Sequence, residues 1–157
     1  MESQGSQELV YYYPDAETEL AAVDDFIYMD MLAELNAAKI AYNLIADPRT
    51  DDYTRQSFIK KYFDILKAGN LVNPGVLLRK ETYAKRPQVA LIKDHACHLT
   101  IALLRQMKVF DEGGNVDTGF ILWVNERVNS ELAYLKEFNA AIREAQSGGF
   151  AKNESEA

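Results

Sequence analysis

The spacing of apolar residues between Leu20 and Ile45 constrains this fold more than any other feature of the chain. Leu20, Val23, Ile27, Met31, Leu35, Ala38, Tyr42 and Ile45 recur in steps of three and four, the period of one face of an α-helix. Phe26, Met29, Leu32, Ile40 and Leu44 carry the apolar surface around most of the circumference, leaving a thin polar stripe at Asp25, Asn36 and Asn43. A helix apolar nearly all round belongs at the centre of a bundle or in an interface between subunits. Asp15, after Pro14, suits its N-cap, with Glu17 and Glu19 in the first turn where the helix dipole favours acids. Asp47-Pro48 ends it.

The same reasoning places four more helices. A second runs from about Asp51 to Lys67, with Phe58, Ile59, Tyr62, Ile65 and Leu66 on one face and a stop at Gly69-Asn70. Asn73-Pro74 starts a short third helix that carries Val76, Leu77, Leu78, Arg79 and Lys80 and is broken by Lys85-Arg86-Pro87. The fourth, from about Pro87 to Lys108, has Val89, Ile92, Ala96, Leu99, Leu103 and Met107 on its main face. Asp111-Glu112-Gly113-Gly114-Asn115 is a turn, with room for one short β-hairpin over 109–116. Asp117 or Thr118 caps the fifth helix, which continues to about Gln146 on a core face of Ile121, Val124, Val128, Leu132, Leu135 and Ile142.

The expectation is therefore an all-α, single-domain bundle of about five helices, three long and two shorter. Residues 1–14 precede it as a flexible arm, 15–147 form the domain, and the polar residues 148–157 form a disordered tail. At 157 residues, with 48% apolar and 26% charged residues, the chain can close a core with no metal or disulfide. Cys97 is the single cysteine, which suits a reducing cytoplasmic or intracellular setting. Met1 to Val10 has Glu2 and Glu8 but none of the basic residues that open a secretory signal. No apolar run approaches the ~20 residues of a membrane span.

Charge divides the chain into thirds. Residues 1–44 hold nine acids and one base, Lys39, for −8; residues 45–110 hold a net +6; residues 111–157 hold −5. The whole-chain charge of −7 opposes non-specific nucleic-acid binding, but the central third does not. Its cluster Arg79, Lys80, Lys85 and Arg86 follows a turn after the second helix, a loose helix-turn-helix pattern in which these four residues would contact phosphate. The ordinary alternative is a solvated helix end.

Candidate chemistry is sparse. His95 and His98 lie about 60° apart on a helix, and Asp30 and Glu34 could face them from the first helix to make a metal site of His95, His98 and Glu34. The Glu-x-x-His signature of di-metal bundles does not occur in the sequence, and an Asp94–His98 pair stabilises a helix by itself. The wheel sets His95 beside the core face and His98 outside. Cys97, next to two imidazoles, could be an activated thiol, but a small packed residue is the simpler reading. Asp24 and Glu34 sit among apolar neighbours, where carboxylates serve as acids or bases or as members of ion pairs. Phosphate-loop, nucleotide-fingerprint and serine-elbow motifs do not occur in the sequence. No cofactor is expected.

The sequence thus points to a non-enzymatic interaction or assembly component, partnered with itself or another protein and with no membrane role. Its broadly apolar helices, its thirds of opposite charge, and the adjacent Tyr11, Tyr12 and Tyr13 suit contact with a neighbour, as do Trp123, Tyr134 and Phe138 on one flank of the fifth helix. Small viral and phage structural components have this style, an analogy of architecture that would place the chain in a virion. The alternatives are a nucleic-acid-binding helical module and an acidic inhibitor that imitates nucleic acid.

Overall fold

A computed structural model describes residues 13–69 and 78–144. All regular structure among them is helical. α1 (Ala16–Ala22), a wide π-helical turn (Val23–Ile27) and α2 (Tyr28–Ala46) form one uninterrupted rod. α3 spans Asp52–Lys67, α4 Lys80–Lys85, α5 Pro87–Phe110 and α6 Thr118–Leu135. A 3₁₀ turn over Lys136–Phe138 then leads to α7, Asn139–Glu144.

The helix starts follow from their caps. Asp15, Asp51 and Asp117 are extended, and each carboxylate accepts from backbone amides of the first turn: Thr18 N at 2.8 Å, Thr54 N at 2.8 Å, and Gly119 N at 2.9 Å. Pro87 occupies the first turn of α5, where its missing N–H leaves no bond unmade. Gly69 follows α3 with φ 77°, the left-handed conformation that closes a helix.

α5 is the centre of the bundle. It packs most extensively on α2, then on α6, and also touches α3, α4 and α7. Leu103, Leu104, Met107, Ala38, Ala41, Ile45, Phe63, Val124 and Leu135 lie in this core. The three long helices thus make the bundle, α2 and α6 both packing on α5, with α3 and α4 also against α5.

Four expectations need correction. The first helix contains a π turn, which carries one more residue per turn than its neighbours allow for. Val23 is buried as its spacing requires, but Glu19 and Ala22 are buried with it, while Leu20 and Ile27 are only half-buried. The hairpin over 109–116 is replaced by a loop, and no strand occurs among the described residues. Val109 and Phe110 continue α5, and the Asp111 carboxylate accepts from the amides of Asn115 (3.3 Å) and Val116 (3.0 Å), holding the loop without cross-strand pairing. The fifth helix breaks at Lys136, where Phe138 turns onto Tyr83 with ring centroids 5.3 Å apart. Arg79 and Lys80 stand at the start of the short helix α4, not at its end. Asn73 to Leu77, Tyr11, Tyr12 and the tail lie outside the described residues.

Arg55 closes the far end of the bundle. It is buried, donates from Nε to the Ile45 carbonyl (2.8 Å) and from an η nitrogen to the Asp47 carbonyl (2.7 Å), and stacks over Phe110 at 4.6 Å. The orphan carbonyls at the C-terminus of α2 are thereby satisfied by a cation. Gln56 does the same for α5, donating to the Phe110 carbonyl at 2.7 Å and accepting from Glu112 N at 3.1 Å. Arg55→Met keeps an unbranched apolar stem but removes two charge-assisted bonds to backbone carbonyls and the ring contact. The expected loss is about 2–4 kcal/mol, read as a lower urea midpoint with an unchanged slope.

Candidate functional site

Apart from Arg55 and Thr100, the polar residues that the fold buries fall into two groups. The first joins α5 to α6. Lys93 and Cys97 are four residues apart on α5, so they share a face. Opposite them stands Glu131 of α6. Lys93 Nζ lies 3.3 Å from Glu131 Oε1, and the two side chains are 9% and 1% exposed. Cys97 Sγ donates to the same oxygen at 3.2 Å. Burial, and next the negative Glu131, push the Cys97 thiol far above its ordinary range. It stays protonated and acts as a hydrogen-bond donor, so the activated-thiol reading has no support in this geometry. Tyr83, fully buried, closes the group from α4; its hydroxyl accepts from Leu78 N at 3.4 Å, and burial raises its pKa strongly. Arg127, one turn before Glu131, is buried as well. Glu34 of α2 is half-buried, and its carboxyl is raised above the ordinary 4.5, mainly by burial and with Lys93 opposing.

The second group ties α1 to α4. Glu19 has no exposed surface. Its carboxylate accepts from Arg79 N at 2.8 Å, from Thr82 Oγ1 at 2.6 Å and from an Arg79 η nitrogen at 3.3 Å. Arg79 also donates to the Tyr13 carbonyl at 2.7 Å, so the residue that precedes Pro14 is fastened to this chain. Nearby, Arg86 grips Asp24 with two bonds of 2.8 and 2.7 Å, which hold the Asp24 carboxyl below its ordinary 3.8. Asp24 is offered to Arg86 by the π turn.

These contacts reassign most of the residues singled out in the sequence. Arg79 pairs with Glu19, Lys80 with Glu137 at 2.9 Å, and Arg86 with Asp24. The basic third thus meets the acidic first third inside one chain. Lys85 is exposed at the end of α4, on the rim of a shallow 440 Å³ groove that is also lined by Glu17, Leu20 and Glu81. His95 is exposed together with His98, not beside the core. His98 Nε2 lies 3.8 Å from Asp94 in the expected i,i+4 relation. The described residues contain no group of three His, Cys, Asp or Glu placed to hold a metal ion. Tyr134 and Phe138 are half-buried in an aromatic cluster with Tyr83, and Tyr134 Oη donates to the Leu78 carbonyl at 3.3 Å. Trp123 remains 46% exposed, stacked on Phe120.

Glu19, Lys93 and Glu131 lie outside the site residues that the sequence suggests, yet each carries a signal. Lys93 falls four residues after Val89 and three before Ala96; Glu131 falls three after Val128 and four before Leu135. Both are charged residues at core positions of their own helices, and a charge there needs a partner of opposite sign. Glu19 carries it too, four residues before Val23, but its place in the first turn, where the helix dipole favours acids, offers another reason for its charge.

Among known proteins, no family model, no curated sequence and no solved structure matches this chain. No described helix is long and apolar enough to cross a membrane.

Two outcomes follow for the inner group. Lys93→Met removes the cation 3.3 Å from the buried Glu131 carboxylate and should cost about 3–5 kcal/mol, seen in denaturant melts. Glu34 titrates in the opposite sense to a stabilising carboxylate. The folded chain holds its proton more tightly than the unfolded chain does, so stability falls as pH rises from 4.5 through the raised value. Glu34→Gln should therefore raise the melting temperature at neutral pH, and the gain should vanish in acid below 4.5.

Proposed function

We propose that this chain is a non-enzymatic interaction or assembly component that works through its surface rather than through a cleft. One observation carries the reading. Phe26, Met29 and Ile40, on the rod formed by the first three helical segments, are 47%, 64% and 56% exposed, although the opposite face of that rod is core. Apolar side chains aligned along one exposed helix face are the usual mark of a protein contact. Leu122 and Trp123 on α6 add a second exposed apolar pair.

The inner polar groups support the same reading. Lys93, Cys97 and Glu131 are engaged with one another below the surface. Three of the four residues of the basic cluster are engaged with acids, which argues against phosphate contact as their main role. Glu19 and Asp24, two of the acids available for imitating nucleic acid, are engaged in the same pairs.

Multi-angle light scattering across a wide protein concentration range tests the reading. The expected mass exceeds 17.8 kDa and rises with concentration. A particle of monomer mass throughout counts against assembly, and salt-sensitive retention on RNA or DNA would favour the nucleic-acid alternative.

A further inference from the structure

We propose that α2 pairs with α2 of a second copy of this chain, antiparallel, through Met29, Ala33, Asn36 and Ile40. The proposal rests on the assembly reading above and names its partner and geometry.

The four residues are separated by steps of four, three and four, the 3.5-residue period of a coiled-coil seam. All four are exposed. They lie opposite Leu35, Ala38 and Ile45, which face the core, so the seam is the outermost line of the bundle. Phe26 adds to its upper end from the π turn.

Size decides how two such seams fit. The small Ala33 and the modest Asn36 occupy the middle, with the larger Met29 and Ile40 outside them. When one helix is reversed against the other about a two-fold axis between positions 34 and 35, Met29 meets the partner's Ile40 and Ala33 meets the partner's Asn36. Each layer then pairs an apolar residue with a residue that fits beside it, and the small centre lets the backbones approach to the 8–10 Å of a packed helix pair.

Charge decides the direction. Acids gather at the N-terminal end of the rod, at Asp25 and Asp30, and Lys39 lies toward its C-terminal end. A parallel pair would set acid beside acid and Lys39 beside the partner's Lys39. Reversal brings Lys39 level with the partner's Asp30 and opposes the two helix dipoles. The contact is isologous and closes on itself, so it makes a dimer and not a filament. One pair of helix faces is smaller than the ~800 Å² per partner of a standard stable interface, so monomer and dimer exchange with concentration.

Sedimentation of the full chain, native and Ala33→Arg, tests this together with oxidative cross-linking of Met29→Cys, Ile40→Cys and the double variant. The native chain should pass from monomer to dimer as its concentration rises. Ala33→Arg, at an exposed position, should weaken the dimer at least ~10-fold, about 1.4 kcal/mol, with an unchanged thermal melt at low concentration. The double cysteine variant should give covalent dimer far more readily than either single variant; Cys97, buried against Glu131, is the internal control. An oligomer that Ala33→Arg leaves untouched overturns this pairing while the assembly reading stands. Cross-linking by Met29→Cys alone as efficient as by the double variant overturns the antiparallel register. A native chain monomeric at every concentration overturns the pairing and the self-assembly reading together.

Discussion

Lys93 and Glu131 meet in the interior where α5 crosses α6, and the rest of the bundle is arranged around that contact. Two charges removed from water each lose several kcal/mol of hydration. Nζ and Oε1 stand 3.3 Å apart and Cys97 supplies a further hydrogen bond to the same oxygen, which offsets part of that loss. An apolar seam between α5 and α6 could slide by a turn at modest cost. A buried charge pair resists such a slip, since it would pull apart two charges that stand 3.3 Å from one another. The pair therefore fixes the register of the two helices that, with α2, make the core.

The remaining ionic contacts extend that arrangement outward. Glu19 binds the start of α4 through the backbone and side chain of Arg79 and the hydroxyl of Thr82. Arg86 fastens the end of α4 to the π turn. Arg55 and Gln56 gather the C-terminal carbonyls of α2 and α5 at the opposite end. Short α4 has too few residues to be stable by helix propensity; tertiary bonds at its two ends hold it. The pattern of acids first and bases in the middle is in this way an internal one. Charge that looked available for a neighbour is engaged within the chain, and the apolar outer line of α2 is left as the feature that a neighbour would explain.

Much of this was legible in the residues. Spacing alone set the long helices, because burying one face of a helix demands apolar residues at a 3.6-residue period wherever the chain runs. Asp15, Asp51, Asp117 and Pro87 marked helix starts because their chemistry acts within one turn. The packing of the aromatic flank was less legible. Trp123, Tyr134 and Phe138 share one side of a wheel, but a 3₁₀ turn at Lys136 redirects Phe138 onto Tyr83, and Tyr134 joins them. A wheel assumes an unbroken helix and fails where the helix breaks.

The sequence by itself determined the helical class, the three long helices and most of the caps, since each rests on interactions between residues a few positions apart. The tertiary structure alone decided that Glu19 is buried, that Arg79, Lys80 and Arg86 answer acids of distant segments, and that Cys97 is a donor to Glu131 rather than a nucleophile. Those contacts join residues some tens of positions apart. No local spacing encodes which acid a given base will meet; that is set by how the helices lie against one another and by the requirement that every charge carried inside be matched there.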